Sequence, residues 1–128
     1  MDNDRRHQPP LPGWVSHVQP GCFDMRVLHH EFWIDAQANV RFPDELSTPH
    51  LQAILGMLSA RSTELYRAEL LDTFIRTITA WEEGSVDGEE LAHELGMTTI
   101  VDVTPAEWLE TTALVRAIRR TLRVRAEA

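Results

Sequence analysis

Residues 63–83 read TELYRAELLDTFIRTITAWEE, and this stretch sets the expected architecture. At ~100° per residue, Leu70, Leu71, Phe74, Ile75, Ile78 and Trp81 gather on one side of a helix in a stripe ~140° wide. Asp72 and Arg76 form an i,i+4 pair on the opposite side. A stripe that broad contacts two neighbours, so the spacing predicts a central helix near residues 63–83 with other helices packed around it. Gly84 is placed to end it, since the residue after a helix favours the left-handed conformation that glycine adopts freely.

Upstream, Ser47-Thr48-Pro49 reads as a hydroxyl N-cap followed by proline in the first turn, where no amide hydrogen bond is lost. Leu51, Ile54, Leu55 and Leu58 then recur at helical spacing. The pattern leaves open whether helices 48–60 and 63–83 are continuous; Ser62-Thr63, which can cap a new start, favours a break. Downstream, Asp87 and Glu90 have capping-box spacing for a short helix through Leu95 that stops at Gly96, and residues 97–103 read as extended. The most consistent local signal is Val103-Thr104-Pro105-Ala106-Glu107-Trp108. Thr104 is the N-cap, Pro105 takes the first turn, Glu107 can return a bond to the Thr104 amide, and Val103 and Trp108 stand where a hydrophobic staple forms. The helix beginning there runs towards Arg125, with a bend expected at Thr111-Thr112.

The N-terminal third has a different rhythm. Residues 1–13, with Pro9-Pro10-Leu11-Pro12, read as a disordered leader before a single globular domain, 14–128. Trp14 to Val18 suits a short strand ended by Pro20-Gly21. From Met25 to Ile34, Leu28, His30, Phe32 and Ile34 alternate with Val27, His29, Glu31 and Trp33, a strand pattern. With Val40-Arg41-Phe42 this makes a β-hairpin of unequal arms, although its loop lacks the Asn-Gly pair typical of tight hairpins. The expected fold class is therefore mainly α with a small N-terminal β-hairpin (α+β).

Composition restricts the function classes. The chain has 128 residues, 43% hydrophobic and 25% charged, which suits one globular domain. No apolar run approaches the ~20 residues of a membrane helix, and the charged, proline-rich N-terminus lacks the apolar core of a secretory signal, so the reading is cytoplasmic. Cys22 is the only cysteine, which excludes an internal disulfide and a multi-thiolate zinc site. Its acidic neighbour Asp24 does not favour a thiolate, and a packed, inert thiol is expected. The net charge of −8 opposes nonspecific attraction to DNA or anionic membranes. That charge is polarised. No arginine or lysine lies between Arg76 and Arg116, an interval carrying nine Asp and Glu residues, and five arginines follow from Arg116 to Arg125.

Catalytic motifs are missing. The glycines form neither a P-loop nor a dinucleotide fingerprint, no serine occupies a nucleophile elbow, and His93-Glu94 lacks the second histidine of a zinc-protease helix. His29, His30 and Glu31 are the densest cluster of acid-base or metal-ligating groups. Adjacent strand residues point to opposite faces, so His29 and Glu31 share a side, and His50 can join them only through tertiary folding. His29, Glu31 and His50 are thus the candidate metal ligands, with histidines half-buried in a hairpin as the favoured alternative. Trp33, Trp81 and Trp108 sit at periodic apolar positions expected in the core. Arg116, Arg119, Arg120 and Arg123 fall within ~100° of arc, opposite Leu114, Val115, Ile118 and Leu122. They are the candidate partner-binding residues. The competing explanation is structural: cations favour a helix C-terminus, and the acidic interval offers internal ion-pair partners.

Two stretches, Phe32-Trp33-Ile34-Asp35 through Thr48-Pro49-His50-Leu51 and Ala106-Glu107-Trp108-Leu109-Glu110-Thr111-Thr112-Ala113-Leu114-Val115-Arg116, resemble small uncharacterised proteins of actinobacterial phages and prophages. The chain departs from that pattern at Ala38, where glycine is common. The resemblance implies an accessory protein of a mobile element and carries over no site residues. Together with the missing catalytic motifs, it makes a non-enzymatic protein-interaction or accessory protein the leading expectation. A DNA-associated regulator using the C-terminal arginines comes second, and a metal-dependent or hydrolytic enzyme around the hairpin histidines third. No cofactor is expected, the protein partner is unidentified, and the sequence gives no oligomeric state.

Overall fold

Ser47 opens the first α-helix, α1 (Thr48–Ala60): its hydroxyl oxygen accepts the His50 amide at 3.3 Å, with Pro49 in the first turn. The computed structural model describes residues 10–84 and 103–127. Leu51, Ile54 and Leu58 form the buried face of α1, as their spacing requires. The chain then breaks for one residue. Arg61 leaves helical geometry with ψ at 11°, its amide still bonded to Leu58, and the second helix, α2, runs from Ser62 to Glu82. No hydroxyl caps this start; the Arg61 guanidinium reaches Glu64 at 2.5 Å instead. Gly84, at φ +79°, turns the chain out of α2 and donates its amide to the Trp81 carbonyl at 3.0 Å. The short helix expected at 87–95 and the extended segment 97–103 lie outside the described residues, apart from Val103, as does the leader from 1 to 9.

Thr104 begins the next helix, α3 (Pro105–Thr111), accepting the Glu107 amide at 3.1 Å. Glu107 serves the cap differently from expectation: its carboxylate takes a hydrogen bond from the Thr104 hydroxyl at 3.0 Å. The expected bend is a full break. Thr112 is extended at ψ 148°, and its amide and its buried hydroxyl both donate to the Leu109 carbonyl, at 3.1 and 2.7 Å. A final helix, α4, spans Ala113–Glu127.

The N-terminal strand expectations do not hold. Trp14 to Val18 is not a strand: Gly13–His17 forms a 3-10 turn, with the Ser16 hydroxyl bonded to the Gly13 carbonyl at 3.0 Å. Met25–His29 is a second 3-10 turn, started by Asp24, whose carboxylate accepts the Arg26 amide at 2.9 Å. Val27 and Leu28 are consequently both buried, which an alternating strand cannot achieve. The hairpin itself is present but short. Strand β1 (Trp33–Ile34) pairs antiparallel with β2 (Val40–Arg41), Trp33 opposite Arg41 and Ile34 opposite Val40. Asp35 organises the loop, its carboxylate accepting the Gln37 and Asn39 amides at 3.0 and 2.9 Å. Ala38 sits at φ +64°, the left-handed region that glycine adopts freely and alanine only with strain. A 3-10 turn, Pro43–Glu45, then leads into α1.

These elements share one hydrophobic core, and its hub is α4. Leu114, Val115, Ala117 and Ile118 are buried there, against Val27 and Leu28, the α1 leucines and Leu109. The expected arrangement around residues 63–83 is therefore corrected. Helix α2 buries only Leu65 and packs chiefly on α3. The protein is mainly helical with a small N-terminal antiparallel hairpin, and no described helix is long and apolar enough to cross a membrane.

Candidate functional site

The proposed metal ligands are kept apart. The 3-10 turn carries His29 away from the hairpin and towards α2, where its Nε2 lies 3.2 Å from the Glu69 carboxylate. Glu31 instead meets the Arg120 guanidinium on α4. His50 is exposed in the first turn of α1. Among the described residues no three His, Cys, Asp or Glu side chains converge as a metal site would require. Both histidines precede β1 and so lie outside the hairpin; His30 is half-buried as expected, His29 exposed. His30 stacks on Phe32 with ring centroids 5.1 Å apart, and burial, with neighbouring His29 adding to it, holds its pKa below the usual histidine range. Cys22 is exposed rather than packed.

The four C-terminal arginines divide. Arg119 clasps Glu110 with two hydrogen bonds, at 2.7 and 3.1 Å, and Arg120 holds Glu31. Arg116 and Arg123 are exposed and make no ion pair among the described residues. The structural explanation thus accounts for half of the face. The cation with the most structural work is Arg125, which the face did not include. Its guanidinium donates to the Leu46 carbonyl at 2.7 Å, the Thr48 hydroxyl at 3.1 Å and the Asp44 carbonyl at 3.3 Å.

Between α2 and the N-terminal turns lies an open cleft of about 500 Å³, lined by residues including Trp14, Arg26, His29, His30, Glu69, Asp72 and Arg76. Its charges are matched internally. Arg26 pairs with Asp24 at 2.6 Å and lies over the Trp14 ring at 4.5 Å, Arg76 pairs with Asp72 at 3.0 Å, and His29 faces Glu69. The hydrogen bonds from Arg26 keep the Asp24 carboxyl below the usual carboxylate range. With each of these charges partnered among the described residues, they have little to offer a charged ligand.

The same cleft reveals how α2 is oriented. Its body-facing side carries Leu65, Tyr66, whose ring meets Trp108 at 5.4 Å, and then the charged Glu69, Asp72 and Arg76. The apolar stripe points the other way. Leu71, Phe74, Ile75 and Trp81 are 59%, 47%, 54% and 46% exposed. Beyond its first two turns, α2 carries its charged residues along the cleft, where the Asp72 and Arg76 side chains are themselves exposed, and its apolar stripe on the side away from the cleft. Trp108 behaves as expected, half-buried against the core, whereas Trp81 does not.

Periodicity identified the stripe and could not say what covers it. One signal was legible: Leu65 lies ~120° from Leu71 on the helical wheel, close to the Asp72–Arg76 side, so the domain-facing and apolar sectors were already at odds. The chain matches no protein-family model, no curated protein and no solved structure at a significant level.

Proposed function

We propose that this chain is a non-enzymatic protein-association module that binds through the outward face of α2. The supporting observation is the exposed apolar stripe: four large apolar side chains about half exposed on one helix, with Ile78 between them, on the side away from the charged cleft. Exposed apolar surface costs free energy in water, and a contiguous patch of this kind marks a protein contact. The face offers no nucleophile, no acid-base pair and no ligand set for a metal, so its chemistry is that of packing. The partner it fits presents an apolar helix or groove. The resemblance to phage and prophage proteins supports placing such a module among the accessory proteins of mobile elements. Arg116 and Arg123, the two arginines of the C-terminal face without an ion pair among the described residues, are a small footprint for nucleic acid on a chain of net charge −8.

A photocrosslinking amino acid tests this directly. Placed at Ile75 in the producing cell, it is expected to trap a discrete protein adduct; placed at Arg123, exposed on α4, it is not. Adducts at neither position, or equally at both, contradict the proposal.

A further inference from the structure

Two charged residues frame the apolar stripe of α2. On the helical wheel, Arg67 lies ~40° from Leu71 at the N-terminal end and Glu82 ~20° from it at the C-terminal end, so both fall within the stripe. Both side chains are exposed, and neither makes an ion pair among the described residues. They are 15 residues apart in sequence (82 − 67), about 22 Å along the axis, with only apolar residues on the outward sector between them. The arrangement therefore runs cation, apolar, anion.

That order is self-complementary in one orientation. We propose that the partner of the α2 face is a second copy of this chain, joined by antiparallel pairing of the two α2 helices about a two-fold axis. This rests on the association reading above and names its partner. With the axis near residue 76, Leu71 of each copy comes opposite Trp81 of the other, and Phe74 opposite Ile78. Arg67 of each copy then stands within one helical turn of Glu82 of the other, giving two equivalent ion pairs at the rim. Parallel pairing instead stacks Arg67 on Arg67 and Glu82 on Glu82, so the charges select the antiparallel form.

The surface available sets the strength. Side chains of this size with about half their area exposed contribute on the order of 100 Å² each, so two copies bury roughly 1,000 Å² once Ile78 and the rim charges are included. That is the lower bound of a specific interface. The dimer is consequently a weak one, dissociating in the micromolar range.

Sedimentation equilibrium of the full chain, from about 1 to about 300 µM, reads this out. The wild type is expected to pass from monomer to dimer across that range. Arg67→Glu and Glu82→Arg each replace two attractive contacts by two repulsive ones, and each is expected to weaken the dimer at least about tenfold. The double variant carrying both changes restores the pairing with its charges exchanged, and its dissociation constant returns to within about threefold of wild type. Unchanged circular dichroism in each variant shows that the fold is intact. A wild type that stays monomeric, single reversals without effect, or a double variant no tighter than the singles each overturn the second-copy proposal. The adduct at position 75 separates the two levels. A covalent dimer supports both, an adduct with a different protein retains the association module and removes self-pairing, and no adduct removes both.

Discussion

Replacing Arg125 by alanine should destabilise the protein more than any other change among the C-terminal arginines. The guanidinium ties the last turn of α4 to the chain entering α1, through the Leu46 carbonyl, the Thr48 hydroxyl and the Asp44 carbonyl. A hydrogen bond from a charged donor contributes about 1.5–3 kcal/mol where water is excluded. Only the 2.7 Å bond to the Leu46 carbonyl approaches that condition, because Asp44 is exposed and water can replace the 3.3 Å bond to its carbonyl. The sum is therefore about 2 kcal/mol rather than three full bonds. For a domain of this size about 1 kcal/mol moves the melting temperature by about 3–5 °C, so Arg125→Ala should lower it by about 6–10 °C. Arg123→Ala, two residues away and without an ion pair among the described residues, should change stability by less than about 0.5 kcal/mol. Arg125→Lys should recover part of the loss, since a compact ammonium cannot span all three acceptors. Thermal unfolding followed by circular dichroism measures all three. Equal melting temperatures for the alanine variants at 123 and 125 would refute the reasoning.

Leu114→Ala should cost about 3 kcal/mol or more in chemical denaturation, because this side chain is completely buried in the α4 hub, whereas Phe74→Ala should cost well under half as much; the reverse ranking would restore α2 as the centre of the fold. Ala38→Gly should raise stability by about 0.5 kcal/mol, the relief of left-handed strain outweighing the extra freedom of glycine in the unfolded chain, and a lower melting temperature would contradict it. Asp35→Ala should lower the melting temperature at pH 7, and the deficit should shrink as pH falls below about 4. The Asn39 amide, followed by Arg41 and the Gln37 amide, holds the Asp35 carboxyl below its ordinary range, so its stabilisation is complete above the unfolded value and disappears as protonation approaches the folded one. A deficit independent of pH would show that the carboxylate charge is not what orders the loop.

Legibility in the sequence followed the range of the interactions. Helix starts at Ser47 and Thr104 and the stop at Gly84 are set by residues within a turn of one another, and each is found where the local chemistry puts it; the interruption near Arg61 is also present, but without the hydroxyl cap expected from Ser62-Thr63. Thr111-Thr112 was recognised as a weak point, but its conversion into a full break depends on burying the Thr112 hydroxyl, a tertiary condition. The segment 25–34 failed for an instructive reason. Its alternation is real, yet the Asp24 side chain offers the Arg26 amide a local partner, and a 3-10 turn forms before the strand begins. The candidate site shows the limit most clearly. The Leu71–Trp81 stripe was visible as a pattern, but apolar periodicity looks the same whether the cover comes from the same chain or from another. The arginine face was likewise half resolved, since the Glu31 that neutralises Arg120 lies 89 residues away in sequence.

In the proposed association the apolar face of α2 is open on the isolated chain and closes when two copies meet. Its most direct test is the reactivity of Ile75→Cys, made in a Cys22→Ser background, towards a thiol reagent as a function of protein concentration. Labelling near the rate of a free thiol is expected in dilute solution, with protection as the concentration rises through the micromolar dimer range. Slow labelling at every concentration, with the fold intact, would show that the face is covered within the single chain and would contradict the account.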